Sequence, residues 1–408
     1  MAATQKGVWD LQDVRDKLLA SEWSYQGVDP GSVYTWGRDV APSSRHGVLG
    51  HNCQPNPAQN YLSSPVQIPG TAWTNIAFMG STAIATKSDS TLWMWGYNNN
   101  GVLGQNHPDN SMSSPTQVGT DTTWSGKEKR IAGSSNQTYQ IAGAIKADGS
   151  LWSWGRGDNG ALGQNNQTDY SSPRQVGTNT DWDKLAMSLE HGAAIKTDGT
   201  LWAWGHNEHG ALAQDNVVAQ SSPVQIPGST WSDVHIYSNA YGHTNMQGLK
   251  TDGSMWMWGI NEFGAMAQNE GHDVNHRSSP VQIPGTWASL PRTSGWSDSR
   301  NIHAAINTDG ELWVWGGNDN NALGLNTPAY RSSPVQLPGS WSSITAGAYG
   351  MGAVKTDGTL WAWGNNSFGI LGQNSEGANF SSPKQVGTDT DWTFASMGEY
   401  NLTGFKVS

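Results

Sequence analysis

The chain has 408 residues, a formal net charge of −11 and only 13% charged residues, which argues against a general phosphate-binding surface. Its single cysteine, Cys53, excludes an internal disulfide and a cysteine-based zinc cluster. Charged residues make up about 25% of ordinary domains, so here the polar surface falls to Asn, Gln, Ser and Thr, and 23 tryptophans argue for a packed core over disorder.

Residues 1–30 form a leader distinct from the remainder of the chain. It opens MAATQKGVWD, without the apolar core of a signal peptide, and no apolar run downstream reaches the ~18 residues of a membrane span. The expectation is a product made in the cytoplasm, with no membrane insertion. GVWDLQDVRDKLLASEW predicts a short helix with Asp10 as N-cap and Leu11, Val14 and Leu18 on one face. At about 12 residues such a helix is marginal alone and needs a surface to pack on. That surface is either the chain's own body or a neighbouring subunit, with Trp9 and Trp23 as further anchor contacts.

From Gly31 to Ser408 one unit repeats. Trp-Gly recurs seven times, from Trp36, Trp95, Trp154, Trp204, Trp258, Trp315 and Trp363, at intervals of 48 to 59 residues. SSP also occurs seven times, and between the two lies an element such as GVLGQN from Gly101 or GALGQN from Gly160. Each unit predicts four short strands. LWxWG places both tryptophans on one sheet face. SSPxQV follows with proline at the strand start, then a strand opening on a further tryptophan such as Trp182. Last comes AAIKTDG, whose Asp-Gly signals a hairpin into the next LWxWG. Twenty of the 23 tryptophans fall at these positions, with Tyr34 replacing one, and are expected as core between units.

The period and strand pattern predict an all-β, seven-bladed β-propeller. GSVYTWG from Gly31 aligns with GSLWSWG from Gly149, and the last unit stops where its siblings place the hairpin Asp. The N- and C-terminal strands are therefore expected to pair and close the ring, removing exposed sheet edges. The series LWxWG, GxLGQN, SSPxQV, WxxI, AIKTDG resembles the repeats of the regulator of chromosome condensation family over residues 31–408. That resemblance implies a seven-bladed propeller but no single function, because the fold hosts exchange factors, inhibitors and adhesins. The Trp-rich, SSP-punctuated style is similar to bacterial and bacteriophage members. The GVWDL leader resembles the starts of structural proteins in tailed phages of marine bacteria.

Strand parity puts the connection after LWxWG and the turn before AAIKTDG on one face of the ring. Both vary in length, and variable loops on a rigid scaffold are where recognition usually resides. The candidate contact residues are Tyr97, Tyr139, His206, His209, Tyr241, His243, Phe263, Phe368 and Tyr400. The His206/His209 and His272/His276 pairs sit in loops without a third ligand at diagnostic spacing, so no metal is expected. No catalytic or nucleotide-binding fingerprint appears in a supporting context, so neither enzymatic activity nor a cofactor is expected. The leading expectation is a virion protein of a tailed bacteriophage, a tail or capsid appendage. Its partners would be other virion proteins or a host surface receptor, not nucleic acid, and several copies could serve one assembly. The alternatives are a bacterial propeller that binds or inhibits another protein, a carbohydrate-binding lectin and, ranked lower, a guanine-nucleotide exchange factor.

Overall fold

A computed structural model describes residues 30–39, 47–52, 61–135, 139–239, 243–271, 275–292, 295–297 and 302–407. The expected leader helix, with Trp9, Leu11, Val14, Leu18 and Trp23, lies outside the described residues, as do Tyr241 and His272.

The described chain is built of β-strands with four single-turn 3-10 segments. One sheet shows the common plan: Trp182–Ser188, His191–Lys196, Leu201–Gly205 and Gln220–Ile226 pair antiparallel in that order. Tryptophan-led strands of neighbouring sheets face one another, so these strands are innermost and the sheets radiate as blades of a propeller. Six sheets are formed among the described residues. Four follow the common plan in four strands, and the one beginning at Trp231–Asn239 has a fifth. The sixth joins two four-strand runs through a single pair, Gly31 with Trp73. Within it, Asn401–Val407 pairs antiparallel with Gly31–Arg38, from Gly31 against Val407 to Gly37 against Asn401.

One hydrogen bond recurs between units. The indole N–H of the second tryptophan in LWxWG donates to a carbonyl in the GxLG element of the preceding unit. Trp95 reaches Val48, Trp154 reaches Val102, Trp204 reaches Ala161, and Trp258 reaches Ala211. Trp315 reaches Ala265, Trp363 reaches Ala322, and Trp36 reaches across the sequence to Ile370. All seven span 2.6–3.0 Å with the indole fully buried. The glycine after each of these tryptophans is equally constrained. Gly205 has φ +106°, and a Cβ there would collide with the carbonyl oxygen of Glu190.

Two local expectations need correction. The SSP prolines do not open their strands: Pro173 lies inside Tyr170–Gln175, beside a register shift between Tyr170 and Arg174. The bulge, on the outer edge strand, removes the ladder bond that proline could not make. The long segment after Trp287 is not simply a longer surface loop either. The strand stops at Ser289, Leu290 and Pro291 are buried, and Gly295–Ser297 pairs parallel with the strand Trp231–Asn239. The Pro291 carbonyl meets His235 Nδ1 at 3.1 Å, and the Arg292 N–H donates to Ile344 O at 3.0 Å. The Arg292 guanidinium lies 3.2 Å from Glu128, 3.4 Å from Asn75 and 3.6 Å from the Phe394 ring centre. These partners come from three sheets and from the connection before Ile131–Ser135, so the segment lies where the innermost strands converge.

A buried asparagine two residues after Trp-Gly braces five of the seven connections. Asn98, Asn207, Asn261, Asn318 and Asn366 accept the backbone N–H of Leu103, Leu212, Met266, Leu323 and Leu371 at 2.9–3.1 Å. Asp39 does the same for Leu49 at 2.9 Å. Burial lifts the Asp39 carboxyl from 3.8 to about 6, which the Leu49 hydrogen bond only partly offsets. A carboxyl with a raised value in the fold favours folding below its ordinary value, and that advantage is lost as pH rises through 6. Asp39→Asn is therefore expected to add about 1–3 kcal/mol at pH 7, with the gain vanishing below pH ~4. Urea unfolding of both proteins across that range checks it.

Candidate functional site

The residue before the Gly of GxLG differs from unit to unit: Asn100, Asn159, His209, Phe263, Asn320 and Phe368. Asn100, Asn159 and Asn320 adopt φ of +53 to +58°, a region asparagine tolerates. Phe263 and Phe368 adopt +51° and +61°, where a bulky side chain carries strain of about 1–3 kcal/mol. Two aromatic rings are thus held out on the loop face in a conformation their residue type disfavours.

Around Phe368 four half-buried side chains gather from distant parts of the chain. Tyr349 and Tyr400 stack with centroids 5.0 Å apart and hydroxyls 3.0 Å apart. Phe368 meets Tyr400 edge-on at 5.7 Å. The Arg38 guanidinium lies 4.4 Å from the Phe368 ring centre and 5.3 Å from that of Tyr400. The Arg38 N–H donates to the Tyr400 carbonyl at 2.7 Å. An arginine between two aromatic faces gains cation–π stabilisation while its charge stays available.

A second group forms where the turn before one strand meets the connection after another. His206 Nδ1 lies 3.5 Å from Glu190, which also accepts from Asn159 Nδ2 at 2.7 Å. The hydrogen bond to Glu190 raises His206 above its ordinary value, against partial burial. Tyr139 lies under Arg156, 4.3 Å from the guanidinium, and the charge of Glu190 pushes its hydroxyl up. In a third group His209 contacts His243 at 5.0 Å and His276 at 5.2 Å between ring centroids, while His243 Nδ1 lies 2.7 Å from Glu262. Burial and these two neighbouring rings lower His209. Among the described residues no group of three or more His, Cys, Asp or Glu is arranged to hold a metal ion.

The structure therefore brings together Phe368 with Tyr400, His209 with His243, and Tyr139 with His206 through their shared neighbour Glu190. Phe263 packs edge-on against Tyr330 at 6.3 Å. Tyr97 is half-buried and is held through its backbone, its carbonyl accepting from Thr82 Oγ1 at 2.8 Å. Sequence reasoning missed Arg38, Arg156, Glu190, Glu262 and Tyr349. The signal for Tyr349 and Glu190 was present: both sit in the turn before the AAIKTDG-type strand, where Tyr400 and His243 also lie.

Comparison with known proteins bears on this ring. The Regulator of chromosome condensation (RCC1) repeat matches residues 148–195, 198–244, 309–354 and 357–401. The yeast protein Prp20p, from Saccharomyces cerevisiae, superposes with a TM-score of 0.76 at 18% identity, covering 94% of this chain and 93% of that one. This chain carries RCC1-type repeats. Human WBSCR16 shares the fold at a TM-score of 0.75 and 18% identity, covering 93% of this chain and 99% of that one. The Ultraviolet-B receptor UVR8 of Arabidopsis thaliana is 26% identical over 309 residues, 74% of this chain and 64% of UVR8. The human E3 ubiquitin-protein ligase HERC2 is 30% identical over 148 residues, 36% of this chain and 3% of HERC2. The chain thus spans less than two thirds of either relative. Prp20p has been crystallised with attention to its binding to Gsp1p and histones, and yeast RCC1 in complex with Kap60.

The buried histidines of this RCC1-type propeller set its acid sensitivity. Burial pushes His191 and His303 from 6.5 down to about 3, and His235 well below its ordinary value. Their stability contribution is full above 6.5 and is lost as pH falls towards 3. His206, raised by Glu190, gains stabilisation as pH falls to 6.5, so it offsets part of this loss near neutrality and adds nothing further below 6.5. Each buried histidine adds a slope of up to about 1.4 kcal/mol per pH unit. The urea midpoint is expected to fall between pH 7 and 4.5. His303→Phe, which keeps the stacking on Trp315, should make that fall shallower.

Proposed function

We propose that this chain is a non-catalytic, protein-binding propeller that presents its loop face to a partner. The observation that carries this reading is the Arg38, Tyr349, Phe368 and Tyr400 cluster. It is preorganised, half-exposed, contributed by residues far apart in sequence, and built on a strained phenylalanine. Aromatic and arginine side chains held rigid at a surface are the usual anchors of protein interfaces. That Prp20p binds proteins on a similar fold is consistent with this role.

In this reading the eight-stranded sheet counts as two blades, giving seven blades with one latching tryptophan each, and the pairing of Asn401–Val407 with Gly31–Arg38 closes the ring. Residues 1–30 act as a separate leader that anchors the propeller, residues 31–408, to a neighbour. The specific setting proposed is a virion of a tailed bacteriophage, as a tail or capsid appendage whose partner is a virion protein or a host surface receptor. Few charges make its contacts weakly dependent on salt. Removing residues 401–408 is expected to abolish cooperative unfolding; an unchanged melting temperature would overturn the closure.

The functional test uses purified particles. Mass spectrometry of intact virions is expected to find this chain at a fixed copy number. Arg38→Ala with Tyr400→Ala should reduce partner capture at least about tenfold without changing the melting temperature by more than a few degrees. A virion inventory lacking the chain defeats the virion setting, and undiminished capture by the double variant defeats the loop-face reading.

A further inference from the structure

The units of this ring differ from one another at a second place, on the clefts between blades. In six of them a lysine from the AAIKTDG-type strand inserts its ammonium beside two aromatic rings. Lys87, Lys146, Lys196, Lys250 and Lys355 lie 3.8–5.2 Å from the ring centres of paired tryptophans. Lys406 does the same with Tyr34 and Trp392 at 5.2 and 4.4 Å. The seventh unit reads INTDGELW in place of the IKTDGTLW type, so Asn307 stands where the lysine should be and Glu311 where the serine or threonine should be.

Both departures open the same cleft. The Asn307 side chain is turned into its own hairpin: Nδ2 donates to Glu311 at 2.7 Å and Oδ1 accepts the N–H of Asp309 and Glu311. It does not reach between Trp287 and Trp313, whose rings stand edge to face at 6.4 Å. The space left is a cavity of about 540 Å³ walled by Trp287, Trp313, Gln268, Pro284 and Pro334. The equivalent clefts at Trp124/Trp152 and Trp182/Trp202 measure about 370 and 260 Å³. Loss of the serine or threonine has a further effect. In five sister units that hydroxyl accepts the indole N–H of Trp93, Trp152, Trp202, Trp256 or Trp361 at 2.7–3.0 Å. The Trp313 N–H is buried without a protein partner. Replacing Lys by Asn and Ser or Thr by Glu makes this unit two formal charges more negative than those of Lys87, Lys250 and Lys355, whereas Asp121, Asp181 and the Asp389/Asp391 pair already offset Lys146, Lys196 and Lys406 in theirs.

We infer that the Trp287/Trp313 cleft is a binding site for a lysine side chain of a partner protein. Six resident lysines show what the two rings accept: an alkylammonium on a four-carbon stem, attracted by the ring faces. The seventh slot keeps the rings, lacks its own cation and gains a carboxylate. The site stands apart from the loop-face cluster, so Arg38→Ala leaves it unchanged.

The test is a calorimetric titration of the full chain with N-acetyl-lysine-N-methylamide, its Nε-acetyl analogue and tetramethylammonium. The lysine amide should bind one to one with a Kd on the order of millimolar, and the neutral analogue at least about tenfold more weakly. Asn307→Lys restores the resident cation, so it should abolish binding while folding with an unchanged melting temperature, as its six siblings do. Glu311→Thr should weaken binding and reduce its salt dependence. Undiminished binding by Asn307→Lys, equal binding of the acetylated analogue, or no binding at all overturns the proposal. Tetramethylammonium binding as tightly as the lysine amide overturns the assignment to a protein lysine in favour of a free ammonium ion.

Discussion

The bond from each buried indole to the carbonyl of the preceding unit is the contact on which the rest of this molecule depends. Backbone ladders hold strands within a sheet, but sheets radiating from an axis share few backbone bonds with their neighbours. Here each joint combines one backbone bond, such as that from the Asn165 N–H to Ser221 O at 2.7 Å, with one side chain that is both large and polar-tipped. The ring fills the space between blades, and its single N–H fixes the distance and register of the loop next door. The residue that donates cannot be replaced by phenylalanine without leaving a buried carbonyl unpaired, which accounts for tryptophan at every one of these positions. Glycine follows for a matching reason: the backbone must turn where a side chain would strike the adjacent strand.

That arrangement explains why the surface is free to vary. Once the indole holds the connection, with a buried asparagine in five units, the residue before the GxLG element is not needed for the latch itself. Asparagine, histidine and phenylalanine all occur there, with their rings or amides directed to the loop face. The same separation applies on the rim, where the lysine beside paired tryptophans is a filler in six units and is absent from the seventh. Scaffold and recognition use different residues of one short repeat.

Much of the architecture was legible in the sequence because it is written many times over. Four strands per unit and the tryptophan pairs follow from the repeated motifs, and the pairing of Asn401–Val407 with Gly31–Arg38 from the match of GSVYTWG to GSLWSWG. What escaped was whatever occurs once. Arg38 joins Phe368 and Tyr400 only because the chain returns to its start after more than three hundred residues, and no local pattern signals it. The histidines were read as two isolated loop pairs, whereas His209, His243 and His276 meet across adjoining sheets. Pro173 was placed at a strand start because ladder bonds were counted without allowing for a bulge. The departures at Asn307 and Glu311 were visible in the sequence, but they read as drift until the cleft behind them was seen.

The segment after Trp287 has a consequence for the ring as a whole. Arg292 touches Glu128, Asn75, Phe394 and Ile344 at once, and Pro291 touches His235. Those partners are far apart in sequence, yet one two-residue segment reaches all of them. A copy of the gene that gained or lost a repeat would still latch unit to unit, since each indole sees only its neighbour. It would widen or crush the space where this segment lies, and a largely buried guanidinium would lose partners it needs. The segment thus couples elements that contacts between adjacent sheets leave independent of one another.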